Sequence, residues 1–130
     1  MTDAPPPRPL EYQPYVELTA RATQPRAGGG PAMRRAGLVI GEWSLEGAAW
    51  TDLHMHDEIT VLLEGSLTVS TGEECVTLRP GDRVAVPAGH RARYEASRYA
   101  RMLYIYGPSD DGHATIDGRY EALPGIPGSD

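Results

Sequence analysis

The chain has 130 residues, a net charge of −6, no phenylalanine and one cysteine. That is enough for one packed core, too acidic for a basic nucleic-acid face, and unable to form an internal disulfide. No apolar run is long enough to span a membrane, and MTDAPPPRPL has no apolar signal core, so a cytoplasmic protein is expected.

Residues 1–35 read as an N-terminal arm. Seven of the twelve prolines lie at or before Pro31, and Gly28-Gly29-Gly30 falls in the same stretch. Proline removes amide donors and a triple glycine is entropically expensive to order, so neither a long helix nor a central strand fits. YVELTA, Tyr15 to Ala20, alternates and is compatible with one edge strand. Two readings stand for the arm: a flexible tail, or a segment that covers a sheet or crosses to a second subunit.

From residue 36 the pattern changes. GLVIGEWS and EITVLLEG are short runs rich in β-branched residues. SLTVS alternates, with Leu67 and Val69 on one face, and ECVTLRP alternates through Val76 and Leu78. Pro80-Gly81-Asp82 predicts a turn, RVAVP a strand, and Pro87-Ala88-Gly89 another turn. HRARYEA places His90, Ala92 and Tyr94 on one face and Arg91, Arg93 and Glu95 on the other; RMLYIYGP closes the series. Residues 109–130 read as a C-terminal extension, where ATIDGRYEAL is compatible with one more strand or a helical turn. About seven short strands with turns between them, and no helical period, predict an all-β sandwich or barrel over residues 36–108.

The chemistry concentrates in LHMHDE. His54, His56 and Glu58 alternate, in a chain with four histidines. On one strand they would share a face, and imidazole with carboxylate suits a first-row transition metal. An exposed polar face explains the same alternation. Glu58 opens E-ITVLLE-G, and G-DRVAV-P-A-G, Gly81 to Gly89, runs straight into His90.

With these two motifs the chain resembles the cupin superfamily, whose members carry G-x5-H-x-H-x3,4-E-x6-G and G-x5-P-x-G-x2-H-x3-N. The resemblance covers about Leu38 to Pro108 and implies a single-domain double-stranded β-helix, or jelly-roll barrel. The first two cupin histidine positions hold Asp52 and His54 here. His56 falls two residues late. The last histidine position is Ala92, with His90 two residues early, and the closing asparagine is unmatched. Each displacement is by two, which keeps strand parity. The resemblance therefore implies one divalent metal (Fe, Zn, Ni, Mn or Cu) held by a displaced set, His54, His56, Glu58 and His90, with Asp52 able to replace a member.

HDEITVLLEGSLTV, LRPGDRVAVPAG and YARMLYIYGP also look like the cupin of the ethanolamine-utilisation systems, the Q protein. That family has Y-D-E-I-D where His56-Asp57-Glu58-Ile59-Thr60 stands here, and Y-A-R-F-I-Y where Tyr99 to Tyr104 stands. Its members lack the usual cupin histidines, and an acetate kinase activity is ascribed to them. This chain differs in having His54, His56 and His90 at aligned positions, which tells against the kinase role, and it has no Walker-type phosphate loop.

Three functions follow as expectations. The first is a metal-dependent enzyme acting on a small metabolite by lyase, isomerase, cyclase or dioxygenase chemistry, with Glu58 as ligand or base and Tyr94 and Tyr104 at the reacting centre. The second is an auxiliary small-molecule-binding cupin without metal, as in ethanolamine utilisation. The third is an acetate-kinase-like phosphotransfer. Tyr106 is a further candidate pocket residue. Arg101 is a candidate for a substrate carboxylate, and His113 reads as a solvated loop residue. ITVLL is apolar on both faces of its strand, which implies a covering layer: a second sheet, the arm, or the other half of a homodimer.

Overall fold

A computed structural model describes residues 10–16, 25–109 and 115–124. His113 and residues 17–20 of the YVELTA stretch lie outside the described residues. Eleven strands form two antiparallel sheets, and no helix occurs among the described residues. The strands are β1 (Arg26–Gly29), β2 (Met33–Arg35), β3 (Leu38–Glu46), β4 (Ala48–His54), β5 (Asp57–Gly65), β6 (Leu67–Ser70), β7 (Cys75–Leu78), β8 (Arg83–Val86), β9 (Arg91–Ala96), β10 (Ala100–Gly107) and β11 (Thr115–Ala122). The six-stranded sheet runs β1-β3-β10-β5-β8, with β2 also on β3; the five-stranded sheet runs β11-β4-β9-β6-β7. The all-β jelly-roll expectation holds.

Alternation decides what enters the barrel. Leu45, Leu62, Leu67, Val69, Tyr94 and Met102 are buried between the sheets, as period-two strands require. Arg91 and Arg93 do face outward, pairing with Asp117 at 3.0 Å and Glu121 at 2.7 Å. Gly65, the glycine of the E-x6-G motif, has φ of 84°, and a methyl group there would run into the Tyr99 carbonyl. Only glycine fits a position with both constraints.

Two features depart from the pattern read in the sequence. LHMHDE is not one strand. His54 ends β4 in one sheet, Met55 and His56 form a bend, and Glu58 belongs to β5 in the other sheet. The barrel turns its corner here, and Asp57 fixes the turn by accepting the Ala88 N–H at 2.9 Å. Second, part of the Pro/Gly-rich arm is paired: Arg26–Gly29 lies along Trp43 to Glu46 of β3, at a sheet edge that tolerates glycine. ATIDGRYEAL takes the strand alternative and supplies β11, which pairs with β4 through a register shift between Ile116 and Arg119. At that irregularity Gly118 leaves room for the Trp50 ring.

Candidate functional site

β4, β5 and β9 deliver four polar side chains to one end of the barrel interior. On β4, Trp50, Asp52 and His54 alternate inward. On β9, Tyr94 and Ala92 stand opposite Trp50 and Asp52 in register. His54 is 1% exposed, Asp52 4% and Tyr94 2%, and the Glu58 side chain 11%. The Tyr94 hydroxyl lies 3.0 Å from His54 Nε2 and 3.5 Å from Glu58 Oε1. The Trp50 indole N–H donates to Asp52 Oδ2 at 2.7 Å.

His54 is flanked by acids. Its Nε2 is 3.1 Å from Asp52 Oδ1 and its Nδ1 is 3.3 Å from Glu58 Oε1. Neither contact has hydrogen-bond geometry. Asp52 Oδ1 and His54 Nδ1 are thus buried without a hydrogen-bond partner among the described residues. Such atoms are uncommon in folded proteins.

Burial sets the electrostatics. Desolvation pushes the Glu58 carboxyl up to about 7, against the opposing pull of His54. Asp52 raises it further, and the hydrogen bond from Tyr94 lowers it. Tyr94 is held well above the ordinary phenol range, first by desolvation, then by the charges of Glu58 and Asp52. Tyr104 is raised in the same direction, by burial and then by Tyr106 and Glu58. A carboxyl poised near neutrality, bonded to a tyrosine that reaches a histidine, can take up or release a proton. When the Tyr94 hydroxyl donates to Glu58, His54 Nε2–H donates to the Tyr94 oxygen. When it turns to His54, Nδ1 carries the imidazole proton instead.

The cluster forms one wall of a cleft of about 380 Å³. Trp43, Trp50, Tyr94, Tyr104 and Tyr106 contribute aromatic surface, and Asp52 and Glu58 contribute carboxylates. Trp43 meets Tyr94 edge-on at 5.5 Å, and Tyr104 stacks on Tyr106 at 5.8 Å. Tyr104 lies flat against β3 because its cross-strand partner is Gly41. The backbone of residues 27–29 completes the rim from the arm, and Thr115 completes it from β11.

The residues expected at the site separate into two groups. The structure brings His54, Glu58, Tyr94 and Tyr104 to the cleft or its wall, together with Asp52 and Tyr106. His56, in the bend, stacks on Tyr106 at 6.2 Å. His90 lies one residue before β9 with its side chain exposed, although its carbonyl accepts the His54 N–H at 2.9 Å. Among the described residues no three His, Cys, Asp or Glu side chains stand in a metal-holding arrangement. As a four-ligand cage the displaced set does not fit: the imidazole of His54 sits between the carboxylates instead of converging with them on a common point. Ala92, at the usual last histidine position, presents a buried methyl opposite Asp52. Arg101 is not at the cleft. It bonds Glu42 at 2.8 Å and Glu64 at 2.9 Å.

Trp43 and Trp50 carry no role in the sequence reading, although Trp50-x-Asp52-x-His54 shows the alternation that places all three on one face. The rim residues 27–29 and Thr115 gave no signal, since only the pairing of distant strands brings them here.

A family model for the EutQ-like cupin domain matches residues 35–104. The chain belongs to the EutQ-like cupin family. Among solved structures, the Clostridium difficile EutQ protein is similar over 73% of this chain and 76% of its own, at 18% identity and a TM-score of 0.61. An ethanolamine utilization protein Q from Salmonella typhimurium is 26% identical over 57% of this chain and 60% of its own, with a TM-score of 0.54. Ectoine synthase from P. lautus shares the fold over 72% of each chain, at 18% identity and a TM-score of 0.57. No curated protein sequence matches the chain.

Proposed function

We propose that this EutQ-like cupin binds a small metabolite in the aromatic cleft and moves a proton on it, with Glu58 as the acid–base group. Tyr94 and His54 form the relay behind Glu58, and Asp52 orients Trp50 and presents a free carboxylate oxygen. Tyr104 flanks the ligand. The observation that carries this reading is a carboxyl held near 7 on the wall of a cleft, within reach of a tyrosine–histidine pair. Proton abstraction or donation beside a carbonyl, enol or hydroxyl belongs to the lyase, isomerase and cyclase classes. A binding role without chemistry uses the same cleft.

The test is a fragment screen of small polar metabolites, read from the indole N–H resonances of Trp43 and Trp50. Hits confined to the cleft and altered by Glu58→Gln support the reading. A screen in which no fragment moves either indole overturns it.

A second reading keeps one divalent metal, with His54, His56, Glu58 and His90 as ligands. The unpartnered His54 Nδ1 favours it. It requires His90 to swing inward and His56 to leave Tyr106. Phosphotransfer has least support, because Arg101 is engaged with Glu42 and Glu64 on the outer face.

The proposal includes pairing of two copies. The outward residues Met33, Ile40, Ile105, Ile59 and Ala85 form one apolar row across five strands, of which Ile40, Ile59 and Ala85 are exposed. A row of this kind is self-complementary about a two-fold axis. A cytoplasmic location is likewise proposed. The exposed free thiol of Cys75 suits a reducing compartment, and no helix among the described residues is long and apolar enough to cross a membrane.

A further inference from the structure

We infer that the ligand is a small organic cation, an alkylammonium, held between the aromatic walls and the two carboxylates of the cleft; this rests on the reading of the cleft as a ligand site. Of the residues lining it, Asp52 and Glu58 are the ionisable acids, five are aromatic, and none is Arg. Every basic residue of the chain other than histidine is arginine, so no lysine can reach in. Arg26 and Arg34 stand near the cleft without lining it. Arg26 extends beside Gly28 toward Ser44, on the outer side of β3. Arg34 is exposed on the edge strand β2 and is the weakest of the groups acting on Tyr104.

Three features suit a cation together. Indole and phenol faces attract positive charge through their quadrupoles, most strongly where water is excluded. Trp43, Trp50, Tyr104 and Tyr106 offer such surface around one volume. Asp52 lines the cleft; its Oδ1 is buried 3.1 Å from His54 Nε2 without a hydrogen-bond partner among the described residues, while its other oxygen is occupied by Trp50. An alkylammonium in the cleft sets its positive charge beside that carboxylate, and needs no hydrogen bond to be attracted to it. A carboxylate or phosphate ligand would instead meet two acids, with no arginine or lysine among the lining residues.

The chain provides its own readout. Its two tryptophans are Trp43 and Trp50, and both line the cleft. Tryptophan fluorescence, excited beyond the tyrosine absorption band, therefore reports the cleft. Full-length protein is titrated at pH 8, with Glu58 ionised, against choline, its neutral carbon isostere dimethylbutanol, and the anion dimethylbutanoate at matched ionic strength. These three differ little in shape and differ in charge. The expected result is a saturable fluorescence change with choline, with affinity at least about tenfold above the neutral isostere. The anion produces no change to about 10 mM. Asp52→Asn removes most of the preference for choline while far-UV circular dichroism stays unchanged. If that variant misfolds, the wild-type comparison of the three probes still decides.

Equal or tighter binding of the isostere overturns the cation inference and leaves the small-molecule reading standing, as does preferential binding of the anion. Silence from all three probes also overturns the cation inference, and the metabolite screen above then decides the fate of the cleft itself.

Discussion

Titration of Glu58 is a perturbation that needs no ligand. Its carboxyl is pushed up to about 7 in the folded protein, from an ordinary value of 4.5. Between those values the folded protein binds more protons than the unfolded chain. Stability from this group is therefore fully present below pH 4.5 and is lost as pH rises through 7. The side chain is 11% exposed, so solvent screens the effect little, and the full loss is about 3 kcal/mol. Urea unfolding of wild type and Glu58→Gln at half-unit steps from pH 5 to pH 8 isolates it. Glutamine is neutral throughout, so the wild-type curve should fall relative to the variant by most of that amount. Parallel curves would refute the reasoning, because Glu58 would then titrate where an exposed carboxylate does; a relative rise of the wild type with pH would refute it too, because its carboxyl would then be lowered.

Other substitutions probe the neighbouring links. Tyr94→Phe deletes the hydroxyl shared by His54 and Glu58 and should cost about 1–2 kcal/mol in urea unfolding. It should also move the Glu58 titration, followed by carboxyl carbon NMR, upward, because the Tyr94 hydrogen bond lowers it. Gly65→Ala combines a φ of 84° with a methyl group against the Tyr99 carbonyl. The backbone alone should lose roughly 1–3 kcal/mol, seen as a lower unfolding midpoint; an unchanged midpoint would mean that the turn relaxes freely. Ile59→Arg puts a charge into the outer apolar row and should convert a dimer to a monomer in light scattering with little change in Tm.

The barrel was legible because strand alternation is a local property. Leu67 and Val69 share a face in SLTVS and both enter the core; Arg91 and Arg93 fall outside by the same parity. The inward group of the site was legible for the same reason, since Tyr94 follows Ala92 and His54 follows Asp52 at steps of two. Parity failed at LHMHDE because the chain bends at Met55 and His56, where neither glycine nor proline announces a corner. The stabilising contact, from Asp57 to the Ala88 amide, joins residues 31 apart. His90 failed similarly: one residue outside β9, it no longer obeys the strand's alternation. The strand at Arg26–Gly29 lacked any apolar signal, because its side chains are minimal and its partner, β3, supplies the ordering surface.

The central claim is that this site works through the protons of its own side chains, with His54 set between Asp52 and Glu58. Elemental analysis by inductively coupled plasma mass spectrometry tests it most directly. Tag-free protein would be purified without chelator, reconstituted in turn with Fe, Zn, Ni, Mn and Cu, and desalted. The account predicts that only a small fraction of chains retain any metal, and that His54→Ala leaves this fraction unchanged. Near-stoichiometric retention of one metal, abolished by His54→Ala, His56→Ala and His90→Ala, would contradict it and make LHMHDE with His90 a metal centre.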